Sequence, residues 1–68
     1  RSNLDYAIKL LSINTDLYPD SANTWDSLAF AYQQGGNKQK AIEHFRNALK
    51  RDPNFPSALK GLMELQQN

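Results

Sequence analysis

The sequence predicts an all-α fold of four short helices with antiparallel neighbours. Three clusters of Pro, Gly, Asn and Asp interrupt the chain, at residues 18–21, 35–37 and 52–56. The segments between these breaks have the length of helices, and their apolar residues recur with a helical period. No stretch alternates strictly between apolar and polar residues, as a half-buried strand would. Because the connections are short, consecutive helices are expected to run antiparallel.

The first helix is predicted over residues 4–17. Ser2 or Asn3 can cap its amino end, and Asp5 suits the positive end of the helix dipole. Pro19 is expected to end the helix, because proline lacks a backbone N–H and restricts the residue before it.

The second helix is predicted over residues 22–34. Asp20 or Ser21 can cap its amino end, since a short polar side chain can accept hydrogen bonds from the first turn. Gly35 or Gly36 can take the left-handed conformation that closes a helix at its carboxyl end. The two glycines lack the flanking residues of a phosphate-binding loop, so we interpret them as a helix stop.

The third helix is predicted over residues 38–51, with Asn37 as its cap. Lys50 and Arg51 lie at the carboxyl end, where positive charge interacts favourably with the helix dipole. The basic residues along this helix are interpreted as a solvated outer face, and His44 as a surface residue rather than a ligand.

The fourth helix is predicted over residues 55–67, with Asn54 or Phe55 at its start and Pro56 tolerated in the first turn. Its apolar residues, Leu59, Leu62 and Met63, are expected to point inward. With a polar tail behind them, this helix resembles the terminal cap that repeat arrays require. The native chain is therefore expected to finish near this point.

Size and charge limit the possible functions. The chain has 68 residues, no Cys, one His and a formal net charge of +1. One domain or less fits this length, and so short a chain is only marginally able to bury a core. The near-neutral charge argues against a nucleic-acid partner or a membrane surface, and no apolar run is long enough to span a bilayer. Because the chain starts at Arg1, we expect a fragment of a longer protein. No cellular compartment is indicated.

Catalysis has no support in the sequence. No nucleophile is paired with a base at a recognisable spacing, and no cluster of residues suits a cofactor or a metal ion. The sequence therefore predicts a protein that is not an enzyme and that binds no cofactor.

The sequence repeats itself with a period of 34 residues. Ala7, Ile8, Leu11 and Pro19 recur as Ala41, Ile42, Phe45 and Pro53. Trp25 and Leu28 recur as Leu59 and Leu62. A single period relates all these pairs, which indicates a stack of similar helical units.

The central unit resembles the tetratricopeptide repeat (TPR) family. The match is carried by Trp25, Leu28, Ala29, Tyr32, Ala41, Phe45, Ala48 and Pro53. Ala29 stands where the family usually has Gly, and its small side chain still permits close helix packing. The resemblance implies an α-α superhelix in a single domain over residues 1–68. One full repeat at 22–55 would lie between a half-repeat at 1–21 and a half-repeat or capping helix at 56–68.

The aromatic and alanine residues of the central unit are interpreted as its core. Trp25, Leu28, Ala29 and Tyr32 share one face of the second helix, and Ala41, Phe45, Ala48 and Leu49 share one face of the third. Small residues let the helix backbones approach, and large residues fill the remaining space. This set is a packing core rather than a cofactor site.

The first helix carries an additional apolar stripe. It consists of Tyr6, Leu10, Ile13 and Leu17, and is called the α1 stripe below. The equivalent residues of the third helix are all polar: Lys40, His44, Asn47 and Arg51. The α1 stripe therefore predicts a second partner for the first helix, either an upstream part of the parent chain or the same stripe in a homodimer. Alternatively, these side chains cover the local core and the helix ends.

A second candidate surface follows from the resemblance, because TPR proteins hold peptides in a groove lined by the first helix of each unit. The matching positions here are Asn23, Asp26, Ser27, Phe30, Gln33, Gln34, Lys60 and Glu64. Phe30 is the candidate anchor for a ligand side chain, unless it packs against Leu59, Leu62 and Met63 of the neighbouring helix. Asp26 and Phe30 replace residues of the family's carboxylate clamp, and Gly61 leaves another position empty, so the sequence argues against a clamp.

The sequence thus predicts a non-catalytic module for protein–protein interaction or scaffolding that binds a protein or a peptide. Docking or self-association through the α1 stripe is the first version, and a peptide groove centred on Phe30 is the second. A third possibility is a C-terminal appendage of a larger enzyme.

Overall fold

The fold consists of four consecutive helices, as the sequence predicts. A computed structural model describes residues 2–67. The helices are α1 (Ser2–Leu17), α2 (Ala22–Gln34), α3 (Lys38–Arg51) and α4 (Pro56–Gln66), and the described residues contain no strand. The predicted all-α arrangement of four helices is confirmed. The outer ends of the two predicted half-repeats, residues 1 and 68, lie outside the described part of the chain.

The helix ends follow the predicted signals with small differences. The Asn37 side chain caps α3 by accepting a hydrogen bond from the backbone N–H of Lys40 at 3.2 Å. Gly36 takes the left-handed conformation after α2, with φ of 82°, whereas Gly35 stays in the right-handed helical region. Ser21 is the N-cap residue of α2, but its side chain makes no capping hydrogen bond.

Two predicted helix starts were wrong by one or two residues. The first helix begins at Ser2, so Asn3 lies inside it and does not act as the cap. The Ser2 side chain is outside the described part of the structure. Pro56 starts α4, where its missing N–H has no intrahelical partner to lose.

The helices pack in chain order. The most extensive contact joins α2 to α3, α1 packs on the other side of α2, and α4 packs on α3 with a smaller contact to α2. No helix within residues 2–67 is both long and apolar enough to cross a membrane.

The core lies where α2, α3 and α4 meet. Ala29, Ala41, Ala48 and Ala58 are completely buried, and the Phe45 ring is 2% exposed. Burying a phenylalanine side chain stabilises a fold by roughly 1.5–3 kcal/mol. Trp25, Tyr32 and Leu49 pack on this centre while remaining partly exposed. The predicted core faces therefore meet, and their largest residues lie at the edge of the core rather than inside it.

The face assigned to α4 was partly wrong. Leu62 is half-buried against the core, but Leu59 and Met63 are 45% and 63% exposed. These two side chains lie on the side of α4 that no other described helix covers.

Gly61 brings α4 close to the ring of Phe45. A Cβ atom built on Gly61 would lie within 2.7 Å of three ring atoms, closer than packed side chains approach one another. The contact involves a fully buried aromatic ring, so neither side can move away easily.

Substituting Gly61 with alanine is expected to destabilise the fold by about 1–3 kcal/mol, because the added methyl group overlaps Phe45. The better helix propensity of alanine offsets only about 1 kcal/mol of this. Urea unfolding followed by circular dichroism measures the difference. The double variant Gly61→Ala/Phe45→Leu is the control, since a smaller side chain at 45 should make the two effects less than additive. Wild-type stability for Gly61→Ala alone would contradict the close-packing argument.

Candidate functional site

All four side chains of the α1 stripe are exposed. Their exposed fractions range from 47% for Leu10 to 66% for Tyr6. The neighbouring Ala7, Ile8 and Leu11 are half-buried. The α1 stripe is therefore a second apolar face of the helix, distinct from the half-buried face.

The equivalent face of α3 is covered rather than solvated, contrary to the sequence-based interpretation. The His44 ring stacks between Trp25 and Tyr32 of α2, at centroid distances of 5.7 Å and 5.4 Å. The Arg51 guanidinium lies 4.6 Å from the centre of the Trp25 ring. His44 is thus half-buried and not a simple surface residue. Of the four polar residues, only Lys40 is exposed, and the other three are half-buried.

Two backbone-directed hydrogen bonds and an altered pKa accompany this stack. Both the indole Nε1 of Trp25 and Nε of Arg51 donate to the backbone oxygen of Pro19, at 2.8 Å and 2.7 Å. Burial lowers the pKa of the His44 imidazole, because the protonated ring loses hydration between the two aromatic side chains. The uncharged form of His44 is therefore favoured in the fold, as ring stacking in a partly dry contact also favours.

The contact between α2 and α3 shows what the α1 stripe corresponds to in the complete repeat. In the complete repeat, positions 44 and 51 are where the second helix contacts the aromatic side chains of the first. Their equivalents in α1 are Leu10 and Leu17, 34 residues earlier. Leu10 and Leu17 thus stand at positions that contact a first helix in the complete repeat. The 34-residue period relates these positions in the sequence, but the interpretation of α3 as solvated did not predict that His44 and Arg51 contact α2.

The predicted groove residues are only partly brought together. An open groove of about 250 Å³ between α2 and α4 is lined by Phe30, Gln33, Phe45, Ser57, Lys60, Gly61 and Glu64. Four of the predicted residues, Phe30, Gln33, Lys60 and Glu64, are among them. Ser57 was missed, although it lies one helical turn before Lys60. Phe30 is 56% exposed, so the neighbouring α4 covers less than half of it.

Four predicted groove residues do not line the groove: Asn23, Asp26, Ser27 and Gln34. Asn23 is exposed elsewhere on α2, and Asp26 is buried with only 8% of its surface exposed. Within residues 2–67, Oδ1 of Asp26 has no hydrogen-bond partner. Burial raises the pKa of the Asp26 carboxyl above its usual value, and the Ser57 hydroxyl partly offsets this by hydrogen bonding. The charged form is therefore disfavoured in the fold.

The Asp26→Asn variant is expected to unfold with a free energy about 1 kcal/mol higher at pH 7, because it removes a poorly satisfied buried charge. Because the pKa of Asp26 is higher in the folded state than in the unfolded state, its protonation stabilises the wild-type fold only at low pH. This contribution is lost as the pH rises through the folded-state pKa. The advantage of the variant should therefore shrink toward pH 4. Urea unfolding at several pH values measures it. The exposed Asp20→Asn is the control, and equal pH profiles for both variants would contradict the assignment.

Comparison with known proteins identifies the repeat. The family model for the tetratricopeptide repeat matches residues 22–55. The Arabidopsis thaliana protein CTR9 homolog is 42% identical over 50 residues, which cover 74% of this chain and 5% of the relative. Photosystem I assembly protein Ycf3 of Synechococcus sp. (strain CC9605) is 37% identical over 60 residues, covering 88% of this chain and 32% of Ycf3.

The Ycf3 protein of Parasynechococcus marenigrum (strain WH8102) matches to the same extent, 37% over 60 residues. The chain thus spans about a third of the Ycf3 relatives and a far smaller part of the CTR9 homolog. The matched residues 22–55 include α2 and α3 with their connections. The chain belongs to the tetratricopeptide repeat family.

Proposed function

We propose that this chain is a docking module that binds a helix of another protein segment along the α1 stripe. The observation that carries the proposal is the contrast between two equivalent faces. On α3 the face contacts the aromatic residues of α2, whereas on α1 it is apolar and exposed. A helix laid along this stripe would bury it as α2 buries the face of α3.

The composition of the stripe supports a water-excluding contact. Where α3 has His44 and Arg51, which tolerate partial hydration, α1 has Leu10 and Leu17. Ile13 lies between these two leucines, and Tyr6 extends the apolar surface toward the amino end, so that it runs through most of α1. Each large apolar side chain that becomes fully buried contributes roughly 1.5–3 kcal/mol. The stripe residues are already partly covered, so each gains only part of this on docking, and the binding is expected to be weak and reversible.

The family and the relatives support the general role. TPR repeats generally mediate protein–protein interactions, and two relatives are named photosystem I assembly proteins. By analogy, we infer a non-catalytic role in holding protein components together. A C-terminal appendage of a larger enzyme would use the stripe in the same way, with the rest of that enzyme as the docked segment.

The α1 stripe is tested with a peptide that copies residues 21–35 of this chain, which include α2. We expect the labelled peptide to bind the full chain, and Leu10→Glu/Ile13→Glu to weaken binding at least ~tenfold, because charge is costly in an apolar contact. Fluorescence anisotropy at low protein concentration measures the affinity. Circular dichroism should show unchanged helicity, since both side chains are about half exposed.

The matched control is Gln39→Glu/Asn54→Glu, which makes the same change in charge at exposed positions outside α1 and α4. This variant should bind the peptide as the wild type does. Equal binding by both double variants would contradict docking through the stripe. Unfolding of Leu10→Glu/Ile13→Glu would instead assign these residues to the core.

A second candidate function is the binding of an extended peptide in the groove centred on Phe30. A half-exposed aromatic ring beside Lys60 and Glu64, at the mouth of an open groove, is the specific observation that favours it. The ring can anchor an apolar side chain, and the flanking charges can orient the peptide. The Gln33 amide already bridges the two helices by donating to Oε1 of Glu64 at 3.4 Å.

Phe30→Ala is expected to weaken groove binding at least ~tenfold, because an aromatic anchor typically dominates such a contact. The probe is a displayed library of extended peptides selected on the wild-type chain. Affinities of the selected peptides are compared for Phe30→Ala and for Tyr18→Ala, whose ring is similarly exposed but lies outside the groove. Peptides that bind all three proteins equally, or a library without any enriched peptide, would count against the groove.

A further inference from the structure

Two apolar faces are exposed at opposite ends of the helix series. The first is the α1 stripe. The second, called the α4 face below, consists of Leu59 and Met63. Since α1 packs only on α2, and α4 mainly on α3, these faces lie on the outer sides of the first and last helices.

The 34-residue period shows what each face corresponds to in the complete repeat. Leu59 and Met63 are the equivalents of Trp25 and Ala29 on α2. Trp25 contacts His44 and Arg51 of α3, and Ala29 is completely buried in the core cluster with residues of α3. The α4 face is therefore the equivalent of the α2 side of the α2–α3 interface.

The α1 stripe is the other half of the same interface. Leu10 and Leu17 are the equivalents of His44 and Arg51, the two α3 residues that flank Trp25. Among the described residues, α4 has a first-helix face that no second helix covers, and α1 has a second-helix face that no first helix covers. The two faces are complementary halves of one packing arrangement.

We propose that the α4 face of one copy binds the α1 stripe of a second copy, head to tail, so that the two helices together form a further repeat. The proposal rests on the docking role of the α1 stripe and names its occupant. In this junction Leu59 would lie between Leu10 and Leu17 of the other copy, as Trp25 lies between His44 and Arg51.

Side-chain size supports the match. The complete repeat pairs a small residue on the first helix, Ala29, with a large residue on the second, Phe45, in one core cluster. At the junction the first-helix residue is larger, Met63, and the second-helix residue is smaller, Leu11. The gain at Met63 exceeds the loss at Leu11. The smaller Leu59 in place of Trp25 offsets the difference across the junction. Asn14 replaces the buried Ala48 and adds a polar group, so the junction should be weaker than the α2–α3 contact and reversible.

Head-to-tail association differs from a two-fold dimer in a measurable way. A two-fold dimer that pairs two α1 stripes uses the stripe of both copies and stops at two. A head-to-tail contact joins two different faces and leaves one of each free, so further copies can add. The mass of the assembly should therefore keep rising with protein concentration beyond twice the 7.7 kDa of one chain.

The test uses two variants that each block one face. Leu10→Glu/Leu17→Glu alters the α1 stripe, and Leu59→Glu/Met63→Glu alters the α4 face; all four side chains are substantially exposed, so the fold should persist. Alone, each variant is expected to sediment as a monomer at concentrations where the wild type associates. Mixed in equal amounts, they should form a heterodimer and nothing larger, because one intact face of each kind remains.

Equilibrium sedimentation measures the masses, and circular dichroism confirms the helicity of each variant. The control Gln39→Glu/Asn54→Glu should associate as the wild type does. Association should weaken at least ~tenfold in each single-face variant and return in the mixture to within about tenfold of the wild type. A mixture that stays monomeric, or a wild type that stays monomeric, would overturn the proposal.

A further outcome separates this inference from the docking role itself. If Leu59→Glu/Met63→Glu still forms a dimer while Leu10→Glu/Leu17→Glu does not, the copies pair through their α1 stripes. That result overturns head-to-tail assembly and leaves docking through the stripe supported. Loss of peptide binding in the α1 stripe test, by contrast, concerns the docking role alone.

Discussion

The close approach of three helices around the Phe45 ring is the constraint on which the rest of the structure depends. The ring is buried against completely buried alanines, and Gly61 leaves it no room for another methyl group. Small residues at these positions bring α2, α3 and α4 close together. The same approach places Phe30 beside α4 and so forms the groove, and it brings the His44 ring between Trp25 and Tyr32. The groove and the His44 stack therefore both follow from the close packing around one aromatic side chain.

The edge of this core is built from polar and aromatic side chains. Arg51, Trp25, His44 and Tyr32 form a continuous stack, and the backbone oxygen of Pro19 accepts hydrogen bonds from two of them. Such groups bury their flat surfaces while their polar atoms keep partners, which suits a contact that remains partly wet. The α1 stripe has no comparable polar atoms apart from the Tyr6 hydroxyl. Removing water from the α1 stripe is favourable, and a helix packed along it would exclude that water most completely.

Most of the fold could be predicted from the sequence, because turn residues act locally and the 34-residue period can be recognised without coordinates. Asn37 caps α3 as expected, and the bounds of α2 and α3 agree with the predicted ones. Burial depth was harder to predict. A polar residue such as His44 is predicted to be exposed from the sequence, although in the structure its ring lies between two aromatic rings. Asp26 shares a helix face with groove residues, but its depth depends on how closely α4 approaches. Leu59 was predicted to point inward as an apolar residue of α4, but its equivalent Trp25 packs on a following helix, and no described helix follows α4.

The distribution of apolar side chains links folding to association. Among the described residues, the large apolar side chains that are fully buried are Leu28 and Phe45, whereas eight large ones are substantially exposed. Alanines contribute less to this burial than larger side chains do, since the free energy scales with the apolar area removed from water. A chain of this length is already near the lower limit for independent stability. Any contact that covers the α1 stripe or the α4 face adds to the apolar surface removed from water. Binding favours only the folded form, so it raises the stability of the fold by mass action. Folding and docking are therefore thermodynamically coupled. A partner that binds the α1 stripe or the α4 face also buries apolar side chains that are exposed in this chain.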